Sequence, residues 1–370
     1  MSSLSHQGDL NSLLDAIAKV KRNASERKCG NCNKNSCWYC SQCATFLCED
    51  CIGFHNKDKA KENHDVTTSF QDKDLETLQQ AARQLSPVLC FGEIGFMGLP
   101  ELKDTSGKFM HPWGVAVNEE DEIAVTDSGH NRVQVFRSDG SHLITFGSRS
   151  GLKCDRNGEF DYPTGIVFDK KGHIIVADSC NHRVQIFSGR GDYLSQFGKE
   201  GSLDHELMKP YGLSLDTNGN IIVADTGNKV IKFFTPSGEF IRKIGGDGIL
   251  ENAHYCVQQG KHFIVSDIDH CIKIFDLKGN YLYKFGKQGE GDGDFKSPRG
   301  LLVTQGGQLA VCDSENHRVQ VFEQNGKFFT KFGKNGSEIG DLYYPTSLAA
   351  LSDGKIVIAD MYNNRIQIFK

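Results

Sequence analysis

The sequence predicts an all-β six-bladed propeller, preceded by a small metal-bound module and a short helical linker. Three observations carry this. Six similar units run from His111 to Lys370, anchored on Asp127, Asp178, Asp225, Asp267, Asp313 and Asp360, with spacings of 51, 47, 42, 46 and 47 residues. Each unit holds four short runs rich in Val, Ile and Phe, such as GVAV, IAVTD, RVQVF and HLITFG in the first. These alternate with polar residues and are punctuated by Gly, Asp, Asn or Ser turns, as strands require. Four strands in roughly 40 to 50 residues is the period of a propeller blade. Finally, seven of the thirteen cysteines crowd between Cys29 and Cys51.

Residues 1–28 form an N-terminal tail. Within it Leu10, Leu13, Leu14, Ile17 and Val20 fall at helical spacing, which suits a short amphipathic helix packed on its own protein or on a partner. Residues 29–65 form the metal module. The pattern is Cys29-x2-Cys32-x7-Cys40-x2-Cys43-x4-Cys48-x2-Cys51-x3-His55-x8-His64. Eight ligands in paired spacing fit two tetrahedral Zn²⁺ sites, with Cys29, Cys32, Cys48 and Cys51 on one ion and Cys40, Cys43, His55 and His64 on the other. So short a segment buries little core, and bound metal would supply folding energy on the order of 10 kcal/mol per structural site. Cys37 is left over and could compete for a site. The alternative is a disulfide knot. No apolar leader stands in residues 1–23, so a reducing cytoplasmic setting, which disfavours disulfides, is expected. Both sites look closed by protein ligands, hence structural.

Residues 66–86 are expected to be a short helical linker, with Leu75, Leu78, Ala82 and Leu85 spanning about two heptads. Residues 87–370 form the propeller. The last unit stops at its third strand, NRIQIFK, while an orphan run, PVLCFGEIG (87–95), precedes the first unit. Pairing the two would close the ring and hide its edges. The fourth unit departs most, with ENAHYCV where others read Pro-x-Gly or close to it.

The cysteine pattern at 29–64 is similar to a B-box zinc finger of the Cys6His2 type. The phrases VADSCNHRVQIF (176–187), CDSENHRVQVF (312–322) and IADMYNNRIQIF (358–369) resemble the NHL signature. Together the chain resembles the tripartite-motif/NHL family over roughly 29–64 and 87–370. The resemblance implies a recognition scaffold within ubiquitination and proteasomal regulation, with the B-box mediating association. Full members also carry a RING finger and a long coiled coil. Here 28 residues precede Cys29, with no Cys and only His6, so ubiquitin transfer without a partner RING ligase is not expected.

Two readings compete for the propeller face that gathers the turns between second and third strands. Arg132, Arg183, Arg318 and Arg365 recur there, and Lys229 stands one residue earlier in what reads as a shorter turn. Asn131, Asn181, Asn228, Asn316 and Asn364 accompany them, with Trp113, Tyr211, His254, Arg299 and Tyr344 nearby. Arg, Asn and aromatics together can stack and read the bases of single-stranded or looped RNA, and some family members bind RNA through this face. The structural reading is that the repeated aspartates cap turns and the arginines pair with them or bridge blades. Acids in the links between blades, among them Asp155, Glu159, Asp161, Glu206, Asp294 and Asp341, favour a protein partner.

Composition limits the alternatives. The net charge is −5, and residues 91–370 hold 31 basic and 36 acidic side chains, a balance unsuited to general nucleic-acid affinity. No run of eighteen apolar residues exists, so no membrane-spanning helix is expected. A metal-dependent propeller hydrolase or lyase would need carboxylates or histidines on several innermost strands. Those read GVAV, GIVF, GLSL, HYCV, GLLV and SLAA, with His254 alone able to ligate. No catalytic residue is assigned.

Overall fold

The computed structural model describes residues 86–94, 106–148, 154–246 and 248–370, together with three short strands further upstream. The chain divides into two compact units, Met1–Ala82 and Arg83–Lys370. In the first, Trp38–Cys40 is the central strand of an antiparallel sheet between Thr45–Leu47 and Val66–Thr68. Val66–Thr68 falls at the start of the expected helical linker. These three residues are strand instead, consistent with the β-branched run Val-Thr-Thr. The side chains of the eight expected zinc ligands, and the heptads of the linker, lie outside the described residues.

The second unit is a ring of six antiparallel four-stranded sheets. Blade 1 comprises Pro112–Val117, Ile123–Asp127, Arg132–Phe136 and His142–Gly147. Blades 2 to 5 begin at Pro163, Pro210, Ala253 and Pro298. Blade 6 takes Pro345–Ala350, Ile356–Asp360 and Arg365–Phe369 from the end of the chain, and its fourth strand is Pro87–Phe91. In that closing pair Ile366 faces Phe91, Gln367 faces Cys90 and Ile368 faces Leu89. Ser86 and Lys370 exchange backbone hydrogen bonds at 3.1 Å in both directions. The orphan run therefore closes the ring.

Second and third strands are buried on both faces, as IAVTD and RVQVF are in blade 1. The cores lie between neighbouring blades. Val115, Ile123 and Val125 of blade 1 pack with Ala349, Val357 and Ile366 of blade 6, and Leu89 and Phe91 of the closing strand lean on that cluster. Burying such side chains contributes about 1.5 to 3 kcal/mol each, so the seam is sealed by packing as well as by hydrogen bonds.

Each link between blades carries a further repeated position. Phe109, Phe160, Leu207, Leu250, Phe295 and Leu342 are fully buried. Each sits against a glycine that ends a fourth strand: Gly92, Gly147, Gly198, Gly245, Gly286 and Gly333. A Cβ on any of these glycines would lie 2.4–2.7 Å from the neighbouring Phe or Leu ring or methyl. All six also have positive φ, so only glycine fits this corner, Phe-Gly in five blades and Ile244-Gly245 in blade 3, without strain.

Candidate functional site

The repeated turn is an internal device. In blade 2, Asp178 is fully buried; its Oδ1 accepts the Asp161 N–H at 2.8 Å and its Oδ2 accepts from Arg183 Nε at 2.7 Å and Gln185 Nε2 at 3.0 Å. Arg183 Nη2 also donates to the carbonyls of Arg156 and Glu159, tying the link loop down. Blades 1, 5 and 6 repeat the arrangement with Asp127–Arg132, Asp313–Arg318 and Asp360–Arg365, each Nε–Oδ2 distance being 2.7 Å. Burial pushes the carboxyls of Asp178, Asp313 and Asp360 up, opposed by these hydrogen bonds and cations. Arg132, Arg183, Arg318 and Arg365, expected on the binding face, are thus buried and committed to fixed internal partners.

Blades 3 and 4 reach the same end differently. Val230 stands where the other blades have Arg, and the cation moves to the glutamine position: Lys232 Nζ lies 2.9 Å from Asp225, and Lys273 Nζ 2.8 Å from Asp267. For Asp267, burial pushes the carboxyl up, but the Lys273 ammonium and the Glu251 and Asn252 N–H groups outweigh it and hold it below the usual range. Lys229 is not the arginine's substitute. The turn from Asp225 to Val230 has the common length, since Asp225 pairs with Val230 as Asp178 pairs with Arg183. The shorter turn is in blade 4, where Asp267 pairs with Cys271. Lys229 is exposed and forms an ion pair with Glu251 at 3.1 Å.

The residue before each third strand is left-handed: Asn131, His182, Lys229, His270, His317 and Asn364 have φ of 51–58°. Its side chain reaches the next blade. Asn131 Oδ1 accepts the Tyr162 N–H at 2.8 Å, and the Nδ1 atoms of His182, His270 and His317 accept those of Lys209, Ser297 and Tyr344 at 3.1–3.2 Å. Asn364 Oδ1 accepts the His111 N–H at 2.9 Å, across the seam. Between blades 3 and 4 the Lys229–Glu251 pair takes this place.

Inside this ring of latches, the residues that do not repeat meet. Each opens an innermost strand or stands beside it. Trp113 of blade 1 lies 5.4 Å from the Tyr211 ring of blade 3 and 6.1 Å from Tyr162. Tyr211 lies 5.1 Å from His254 of blade 4. The Arg299 guanidinium of blade 5 sits 4.7 Å over Trp113 and 5.0 Å over Tyr344, and its Nη2 donates to the Tyr344 hydroxyl at 2.9 Å. Contacts from blade 1 to blades 3 and 5 put this cluster at the centre of the ring. It continues outward through Tyr362, 5.0 Å from Tyr344, to Tyr343 and His317.

Burial governs the chemistry here. It pushes the Tyr162 phenol up to about 12, with nearby tyrosines adding, and raises Tyr211 as well, so both remain protonated at neutral pH. Burial, reinforced by the Arg299 charge and opposed by Asp267, pulls His254 down to about 3. Tyr343 and Tyr362 remain 42% exposed.

Five expected face residues, Trp113, Tyr211, His254, Arg299 and Tyr344, are therefore brought together. Lys229 stands apart in its ion pair, and the four arginines are internal. Tyr162, Tyr343 and Tyr362 extend the cluster but were not singled out from sequence. Tyr362 occupies the variable position of the repeated turn, where blades 1, 2, 3 and 5 carry Gly129, Cys180, Gly227 and Glu315; a tyrosine standing alone in that column was the available signal. Among the described residues, no group of three or more His, Cys, Asp or Glu is placed to hold a metal ion, and no helix is long and apolar enough to cross a membrane.

An NHL-repeat model matches residues 109–136, 160–187, 295–322 and 342–369. These are blades 1, 2, 5 and 6, the four that keep the Arg–Gln pair on the buried aspartate. The chain is 34% identical over 111 residues to Protein brain tumor of Drosophila melanogaster, covering 29% of this chain and 10% of that protein. It is 30% identical over 147 residues to the B-box type zinc finger protein ncl-1 of Caenorhabditis elegans, covering 29% and 16%. It is 46% identical over 55 residues to the E3 ubiquitin-protein ligase TRIM71 of Rattus norvegicus, covering 15% and 6%. The chain thus spans 16% or less of the length of these relatives. A solved streptogramin B lyase shares the fold at a TM-score of 0.53 and 12% identity, covering 73% of this chain and 95% of that one. The matched repeats and these relatives support a TRIM-NHL assignment, and the described body is a six-bladed NHL-repeat propeller.

Proposed function

We propose that the chain is a recognition scaffold whose central aromatic cluster captures a protein partner. The observation that carries this is the fate of the repeated arginines. RNA recognition would draw on them for phosphate neutralisation, yet all four face buried aspartates at 2.7 Å. What remains is a central cluster in which Trp113 and His254 are buried, Tyr162, Tyr211, Tyr344 and Arg299 are half-buried, and Tyr343 and Tyr362 are exposed. Aromatic side chains with a polar tip, joined by arginine, are the usual anchors of protein interfaces.

Relatives named as a ubiquitin ligase and as a B-box protein support a place in the ubiquitin pathway, with this chain contributing partner capture. In that setting the Cys29–His64 segment binds two structural Zn²⁺ ions and mediates association with a ligase that carries a RING finger. Elemental analysis of the purified chain should find two zinc ions per chain, and one after Cys40→Ser. No bound zinc would overturn the metal assignment.

The capture reading is tested with a random RNA pool titrated against the chain from about 50 to about 300 mM salt. We expect no sub-micromolar binding with a steep salt slope. Tight, salt-steep binding lost in Tyr362→Ala would replace protein capture with RNA recognition.

A further inference from the structure

Among the described residues of the propeller, six Lys and Arg side chains are buried, and the half-buried Arg299 can be compared with them. Arg132, Arg183, Arg318, Arg365, Lys232 and Lys273 each lie 2.7–2.9 Å from a buried aspartate. Arg299 has no carboxylate. Its Nη2 donates to the Tyr344 hydroxyl, but Nε and Nη1 are buried without an acceptor. The Ser297 hydroxyl, two residues earlier, is orphaned too, and among the described residues these three are the only buried side-chain nitrogen or oxygen atoms without a partner. They belong to two residues, Ser297 and Arg299, at the start of one blade.

Such atoms are rare in folded proteins and call for a reason. The rings of Trp113 and Tyr344 attract the guanidinium charge, but ring faces do not replace the strong acceptor that its N–H groups have in water. The remaining unmet capacity is that of donors beside a positive charge, at the centre of the recognition face.

We propose that Arg299, with Ser297 beside it, is the subsite for a carboxylate of the protein partner. This rests on the capture reading above. One guanidinium matches one carboxylate in charge and in fork geometry. A phosphate dianion would call for further cations, and Lys229 and Lys296 are already paired with Glu251 and Glu290. The aromatic rings form the apolar walls around that contact. The partner segment therefore presents an Asp or Glu flanked by apolar or aromatic residues. On binding, the Arg299 fork turns from Tyr344 toward that acid.

The test is selection of a random dodecapeptide phage library on the intact chain and, in parallel, on Arg299→Gln. We expect enrichment of an Asp or Glu at one fixed position. The synthetic winner should lose at least tenfold in affinity when its acid becomes Asn or Gln, and likewise on Arg299→Gln. Equal binding by the neutral peptide, or by Arg299→Gln, would overturn the carboxylate subsite and leave protein capture standing. No enrichment alongside tight binding of the RNA pool would overturn both. A second readout concerns the free protein: Arg299→Met should raise Tm, because it removes an unpaired buried charge. A fall in Tm would assign Arg299 a structural role and overturn the proposal.

Discussion

At the scale of single residues, blade 3 shows a charge moved along a strand while the buried aspartate keeps its cation. VIKFF replaces the RVQVF pattern, and Lys232 reaches Asp225 from the position glutamine holds elsewhere. Lys232→Gln would leave Asp225 buried with no cation, a loss of about 3 to 5 kcal/mol. Val230→Arg added to Lys232→Gln rebuilds the arrangement of the other blades, and urea unfolding should show most of the loss recovered. A double variant no more stable than the single one would refute the exchange. The aspartates were legible because they recur at blade spacing. The lysine exchange was not, because position along the chain ties Lys229 to the arginines, whereas strand register sets Val230 opposite Asp225 and leaves Lys232 at the glutamine position.

His254 gives a residue-scale prediction with a sign. Its imidazole titrates at about 3 in the fold and near 6.5 in an unfolded chain. Between those values the unfolded state binds a proton that the native state refuses, so stability falls as pH drops below about 6.5. By pH 5 the loss from this group is about 2 kcal/mol. His254→Phe removes the titration, and its unfolding free energy should decline less between pH 7 and pH 5 than that of the wild type. Parallel profiles would show that His254 is solvated in the native state.

At the scale of elements, the links between blades prove to be as regular as the blades. The sequence pattern made strands visible by alternation, but the link positions are single residues in polar surroundings. Phe160 in GEFDYP and Leu207 in HELMKP do not alternate with anything. They become legible only when aligned on the aspartate eighteen residues later. Their partner is the Phe-Gly corner, and Gly147→Ala tests it. The added methyl would lie 2.7 Å from the Phe160 ring at a φ of +107°. Steric conflict and strain together should cost about 1 to 3 kcal/mol in thermal unfolding. Gly172→Ala is the control, since its turn has positive φ but open space around it; it should cost only the smaller conformational part. Equal losses would show that the Phe–Gly contact contributes nothing.

At the scale of the whole molecule, stability depends on one strand from far upstream. Alternation and the missing fourth strand of the last unit made ring closure readable. The seam latch of Asn364 to His111 was not, since nothing in either residue marks a contact 253 positions apart. Deleting 87–91 would leave one edge of Ile366–Phe369 unpaired and uncover Ile366, Ile368 and Phe369, all buried in the intact ring. An unpaired apolar edge of this kind recruits other chains. The truncated protein should melt at lower temperature and associate with rising concentration, read by calorimetry and sedimentation velocity. Asn364→Ala separates the two contributions at the seam. It removes one hydrogen bond and strains a left-handed residue, but leaves the edge paired, so it should lower Tm without association. A deletion variant that stays monomeric at the wild-type Tm would mean that packing between blades 6 and 1 holds the ring closed without the strand.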